Sequence, residues 1–252
     1  MIARQNIDID GLVTAAGHTS KRSGGGGSGG SIWLQTKTLT GGGTVRTSGG
    51  SGLGNGGGGA GGRIAVEFFN NTYHGNFEVF GGAGVSECGG AGTLLLTDTS
   101  TNKTKLVLNN NNICKPREDD IQNYRTDSGR SWITPQPKTE SITLDELEMR
   151  GSAHLAVSSL PDKTLALNVG KTSGDRTGIF HVTEDQKLRF SFEGKNDLEL
   201  LWGVNVYAKG DLSMSTNLVV YGIKIIVAGS LSGAQNITVG DKGKLILRCV
   251  IV

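Results

Sequence analysis

Short apolar runs recur through the first hundred residues at a nearly constant step, each following a cluster of glycines. GGSIWLQ at 29–35, GGRIAVEF at 61–68 and GAGTLLLTD at 90–98 are in phase, so Ile32, Ile64 and Leu94 follow one another at almost equal intervals. A second set keeps the step: TVRTSGG at 44–50, NFEVFGG at 76–82, and KLVLNN at 105–110 close to phase. LVTAAG at 12–17 precedes the first of these by the same interval. A period of about 31 residues, held over several steps, is the signature of a stacked repeat.

Each period holds two apolar runs of strand length, separated by turn residues such as KTLTGG, NNTYHG and TSTNK. That predicts one coil of a solenoid, in which strands of successive coils pair in register and each coil buries its inner face against the next. Side chains alternate across a strand, so Ile32, Leu34, Ile64, Val66, Leu94 and Leu96 are expected inside. Trp33, Gln35, Ala65, Glu67, Leu95 and Thr97 are expected outside. The second strand puts Val45, Thr47, Phe77 and Val79 inside, and on its outer face Arg46 beneath Glu78, a cross-strand pair worth roughly 0.2–1 kcal/mol. IDIDGLV near the start reads as an earlier strand with Asp outward, and the natural chain is expected to continue upstream of it.

Of 252 residues 41 are Gly, concentrated at 24–30, 41–43, 49–62 and 81–92, between the strands. Such clusters usually mark flexible linkers. A linker has no reason to recur in phase, so the clusters are read as ordered, tightly turned corners that stack, with glycine allowing positive φ and close backbone approach.

The pattern GGGGSGGSIWLQ followed by GGGGAGGRIAVEF, with the GGRIAV step at 61–66 its most specific piece, resembles the glycine-rich parallel β-helix modules of very large secreted or cell-surface proteins. The likeness covers residues 24 to about 108. It implies a right-handed parallel β-helix, an extracellular or cell-surface address, and a structural, adhesive or matrix role, with no catalytic residues to carry over. The fold expected is therefore all-β: a right-handed parallel β-helix with Gly-rich corners, coils of about 31 residues in the N-terminal half and shorter coils in the C-terminal half.

Three segments are expected: Gly-rich coils at 1–108, an irregular loop or insertion at 109–140, and a continuing β-helix or second β-solenoid at 141–252. The middle one holds three of the four prolines, four consecutive Asn and no periodicity. It is a linker or surface excursion, or else a binding loop offering Arg117, Glu118, Asp119, Asp120 and Trp132. Glu118, Asp119 and Asp120 supply oxygen ligands for Ca2+, but without the D-x-D-x-D-G spacing. In the last segment MRGSAHL, YAKGDL, VAGSL and GDKGKL repeat an apolar run, a Gly turn and an apolar residue. The interval from Gly210 to Gly229 is well under the first period, pointing to shorter coils, and SITLDELEMR is read as strand rather than helix.

A net charge of +2 without a dense basic cluster argues against nucleic acid. No apolar run is long enough to span a membrane, and the first residues lack the apolar stretch of a signal peptide. Cys88, Cys114 and Cys249 do not make a zinc site; a Cys88–Cys114 disulfide flanking the third coil is one arrangement open to them, with Cys249 then free or paired with another chain. Three N-glycosylation sequons begin at Asn70, Asn102 and Asn236.

Catalysis by a β-helix needs acids gathered on one face, whereas the phase-matched outer positions Gln35, Glu67 and Thr97 carry one. His18, His74, His154 and His181 share no register, and GLGNGG at 52–57 is followed by nothing helical. The reading is a non-enzymatic scaffold without cofactor, whose partners are other copies or neighbouring modules. The alternative is a carbohydrate-binding or polysaccharide-active β-helix, with Trp33, Tyr73, Trp202 and Tyr207 as sugar-stacking aromatics. A surface-binding ladder of Thr36, Thr38, Thr40 and Thr44 is the third reading, weakened because no T-x-T pattern recurs across coils.

Overall fold

The computed structural model describes residues 1–113, 130–133, 141–157, 165–182, 187–191, 203–214 and 217–248. Every regular element among them is a β-strand. The chain divides into two compact units, Met1–Ser131 with Gly151–Ala153, and Trp132–Arg150 with His154–Val252.

The first unit contains β1 (Asn6–Asp8), β2 (Leu12–Thr14), β3 (Ser31–Thr40), β4 (Thr44–Arg46), β5 (Arg63–Asn71), β6 (Asn76–Glu78), β7 (Thr93–Asp98) and β8 (Lys103–Asn109). Up to β7 the strands alternate between two sheets: β1, β3, β5 and β7 pair in parallel, and so do β2, β4 and β6. The register is the one the step demands, with Ile32 opposite Ile64, Ile64 opposite Leu94, and Val13, Val45 and Phe77 in line. A long connection lies between paired strands, as parallel pairing requires. Inward positions form one core of Ile7, Ile9, Leu34, Leu39, Val45, Ile64, Val66, Val79, Leu94 and Val107. Each such side chain contributes about 1.5–3 kcal/mol by leaving water. Outside, Arg46 Nε donates to Glu78 Oε2 at 2.5 Å in the expected pair.

β8 departs from the expectation that 105–110 continues the second set. It folds back on β7 in antiparallel register, Asp98 opposite Lys103 and Leu94 opposite Val107. The Thr99–Asn102 link is too short for a parallel crossover but ample for a hairpin. Asp98 Oδ1 accepts from the Ser100 amide and hydroxyl, and Asn102 takes a positive φ of 53°.

The long glycine clusters at 24–30, 49–62 and 81–92 are not corners, whereas 41–43 does turn the chain from β3 into β4, with Gly41 at a φ of 104°. Each repeat runs out and back along two extended arms, 15–20 then 24–30 in the first, 47–52 then 56–62 in the second, 79–84 then 87–92 in the third. Along one arm, amides bond to the same arm one repeat on: Gly17 to Ser48, Gly49 to Phe80, Gly29 to Ala60, Gly61 to Gly90. Between arms, Gly27 donates to His18, Gly50 to Gly27, Gly59 to Gly50, Gly82 to Gly59 and Gly89 to Gly82, a continuous zigzag. Cross-arm bonds repeat one turn further along, Gly27 to His18 with Gly30 to Ala15, Gly59 to Gly50 with Gly62 to Thr47, and Gly89 to Gly82 with Gly92 to Val79. A repeat at every third position is the period of an extended polyproline-II-type helix, whose amides point outward for neighbours to use.

This packing explains the composition. A Cβ at Gly59 would sit 2.0 Å from the Gly27 carbonyl oxygen, and one at Gly82 would sit 1.9 Å from that of Gly50. Facing the other arm, a Cβ at Gly58 would meet the Gly82 oxygen at 1.8 Å. The third position of each turn faces outward and carries Ser28, Ser51, Ala60 or Ala83, whence the Gly-Gly-X clusters. Between residues 15 and 92 only Gly41 and Gly54 have positive φ, so close approach is what requires the glycines.

The third layer ends on side chains. Asn110, 1% exposed, accepts from the Gly81 amide through Oδ1 at 2.8 Å and donates through Nδ2 to the Gly89 carbonyl at 3.2 Å. Its side-chain amide thus stands where the peptide group of a further arm would bond. The Ser131 hydroxyl, on β9 (Arg130–Ile133), donates to the Ala91 carbonyl. Asn110 and β9 both fall within 109–140, so that stretch is not irregular throughout.

The second unit contains β10 (Ser141–Arg150), β11 (His154–Val157), β12 (Leu165–Gly174), β13 (Gly178–Val182), β14 (Lys187–Ser191), β15 (Val204–Ala208), β16 (Asp211–Met214), β17 (Leu218–Val220), β18 (Lys224–Val227), β19 (Leu231–Ser232), β20 (Ile237–Val239) and β21 (Lys244–Leu247). SITLDELEMR is strand throughout. β10, β12, β14, β16 and β19 pair in parallel, as do β11, β13, β15, β18 and β21, and β17 with β20. The step shortens along this unit, from the interval that sets Ser141 opposite Ala166 to the smaller one that sets Leu218 opposite Ile237.

Candidate functional site

The outer face of β3, β5 and β7 in the first unit gathers the most exposed aromatic and charged chemistry. Strand alternation aims Trp33, Gln35 and Lys37 outward on β3 and Ala65, Glu67 and Phe69 outward on β5. Trp33 is 48% exposed and Phe69 54%. Ala65, in register beside Trp33, is too small to cover the indole. Phe69 falls between the pairs Thr36–Phe68 and Thr38–Asn70, opposite Lys37. The Trp33 indole N–H donates to Glu67 Oε1 at 3.1 Å and the Gln35 amide to Glu67 Oε2 at 3.2 Å. The carboxylate thus fixes the indole. Alongside runs an open groove of about 350 Å³ lined by Ile2, Arg4, Gln35, Lys37, Glu67 and Thr99. Neither Arg4 nor Lys37 forms an ion pair among the described residues.

The other expected stacking aromatics are arranged differently. Tyr73 is half-buried: its hydroxyl donates to the Gly43 carbonyl at 2.8 Å and its ring packs 5.0 Å from Phe77. Burial pushes its phenol up, the hydrogen bond with Asn76 opposing. Tyr207, 3% exposed, has no open ring face; burial raises its phenol against the opposing charge of Arg248. Neither is a sugar platform. Trp202, Arg117, Glu118, Asp119 and Asp120 lie outside the described residues, as does the side chain of Trp132. Cys88 is in a disulfide. Cys114 and Cys249 are outside the described residues, so the pairing with Cys114 stays an expectation.

Sequence reasoning missed Phe69, whose outward position follows from the same alternation that placed Glu67. It also missed a histidine pair in the second unit. His154 and His181 do share neighbouring strands: His181 Nε2 lies 3.0 Å from His154 Nδ1, with the rings stacked at 5.0 Å. Their spacing is close to the local step, which sets His154 opposite Ile179, and not to the longer step of the first unit. At the longer step of the first unit the two histidines fall out of phase. Among the described residues no three His, Cys, Asp or Glu side chains converge on a metal position.

No protein-family model matches the chain, and neither a curated protein nor a solved structure shows significant similarity to it.

Proposed function

We propose that this chain is a structural and adhesive module of a larger extracellular or cell-surface protein, built as a right-handed parallel β-helix and joined to neighbouring modules or copies by stacking of its layers. The observation that carries the reading is the last layer of the second unit. Ile237 and Val239 continue the columns of Leu218 and Val220, which are 1% and 0% exposed, yet are themselves 48% and 49% exposed. Leu247 likewise continues the column of Val227 at 47% exposure. An apolar, in-register edge of this kind is a template for a further strand. The handedness rests on the rule that about 98% of parallel crossover connections are right-handed. The address rests on the Cys88 disulfide, a bond kept in oxidising compartments.

Light scattering coupled to gel filtration over a concentration series tests the assembly. The expected result is concentration-dependent association that disappears when Ile237 and Val239 are both replaced by Lys. A wild-type chain that stays monomeric to its solubility limit, or association indifferent to that replacement, overturns it.

A further inference from the structure

We infer that the outer face of β3 and β5 binds an extended acidic oligosaccharide, with Trp33 and Phe69 as stacking platforms and Arg4 and Lys37 as its anion-pairing groups. Such binding is independent of the stacking of layers proposed above.

Two large aromatic side chains are about half exposed on one flat face, where burial would be the default for apolar rings. They are held rather than loose. Glu67 anchors the Trp33 indole edge, and Ala65 beside it leaves a ring face open. From Trp33 to Phe69 is four residues along the strand and one strand across, about 14 Å at the usual spacings. That span suits a chain of several rings, not a single small molecule.

The polar chemistry between the rings selects the charge. Glu67 already accepts from Trp33 and Gln35, which occupy its two oxygens. Arg4 and Lys37 border the groove without a counter-ion among the described residues. Two unpaired cations against one hydrogen-bonded carboxylate favour a ligand bearing carboxylate or sulfate, and Arg4 offers the fork geometry that either group accepts. Gln35 and Thr99 supply hydrogen bonding for hydroxyls at the groove wall. Stacking faces on the same strand surface, beside a groove lined by unpaired cations and neutral hydrogen-bonding groups, are what an acidic polysaccharide requires. An acidic peptide would use the cations but not two separated ring faces.

The test is a titration of the full chain, by calorimetry and tryptophan fluorescence, with hexagalacturonate, a heparin-derived hexasaccharide, neutral cellohexaose and a hexaglutamate peptide. The expected result is saturable binding of one or both acidic saccharides, weakened as ionic strength rises. Cellohexaose and hexaglutamate should bind at least about tenfold more weakly, which corresponds to about 1.4 kcal/mol. Trp33→Ala and the pair Arg4→Ala with Lys37→Ala should each weaken binding by roughly tenfold or more, and Phe69→Ala should weaken the hexasaccharides more than the matching disaccharides. All these side chains are on the surface, and unchanged circular dichroism and melting temperature will confirm intact folding. The carboxylate and sulfate arms identify which acid group is read. Absence of saturation with both acidic saccharides overturns the inference. So does binding that survives Trp33→Ala and the double cation variant, or tighter binding of hexaglutamate or cellohexaose than of either acidic saccharide.

Discussion

Asn110→Ala removes the side chain that ends the glycine layers, and its cost is set by what it strands. Asn110 is 1% exposed, and both of its bonds go to backbone groups of the third layer, the Gly81 amide and the Gly89 carbonyl. Neither gains another partner when the amide is deleted. An unsatisfied buried group costs about 1–3 kcal/mol, so the pair amounts to roughly 2–6 kcal/mol. Asn110→Asp separates hydrogen bonding from bulk. The carboxylate still accepts from Gly81 but sets a second oxygen against the Gly89 carbonyl. Protonation supplies the lost donor, so the folded pKa of the introduced acid is raised. The folded state then holds the proton more tightly, and the deficit relative to wild type is smallest below the ordinary carboxylate range and grows as pH rises through the folded pKa. Urea unfolding of the three chains at acid and neutral pH reads both effects, and hydrogen exchange at Gly81 localises them. An Asn110→Ala loss below about 0.5 kcal/mol, or a pH-independent Asn110→Asp deficit, would refute the capping argument.

The glycine layers make a position-by-position prediction. Gly59→Ala, with its Cβ 2.0 Å from a carbonyl oxygen, should cost about 3 kcal/mol or more in thermal or urea unfolding. Gly25→Ala meets its nearest atom at 3.6 Å and should be neutral or stabilising by about 0.4–1 kcal/mol; equal effects at the two sites would contradict the layer packing. Thr47 is 0% exposed with its hydroxyl unpaired, so Thr47→Val should stabilise by about 1 kcal/mol, and a clear loss of stability would mean the hydroxyl is bonded after all. The Ser100 and Thr101 hydroxyls hold the Asp98 carboxyl below the ordinary carboxylate range. Because that pKa is depressed on folding, the Asp98 contribution to the hairpin is present above the ordinary carboxylate pKa and lost only as pH falls through the depressed value. Carboxyl NMR should show Asp98 titrating below its unfolded-state value, and titration at or above that value would remove the turn from the account.

The sequence alone determined the step, the strand phase and which residues face inward. Those follow from local alternation and from a repeat long enough to see: Ile32, Ile64 and Leu94 had to align if each was to hide behind the next. The Arg46–Glu78 pair followed from the same register. What the tertiary structure decided were matters of who lies opposite. The long glycine clusters read as corners rather than linkers, and they are recognised as layers only when neighbouring arms are seen to fill the space where Cβ atoms would sit. Asn110 was one of four like residues in an aperiodic stretch, and only the two stranded peptide groups of the third layer single it out. KLVLNN carried the right phase for a parallel strand, but the short link before it left a hairpin as the geometry the backbone could close. Tyr207 and His181 look alike on paper whether wet or buried; packing on both faces of their sheet decided it, because burial belongs to the whole neighbourhood of a side chain and not to its place in the chain.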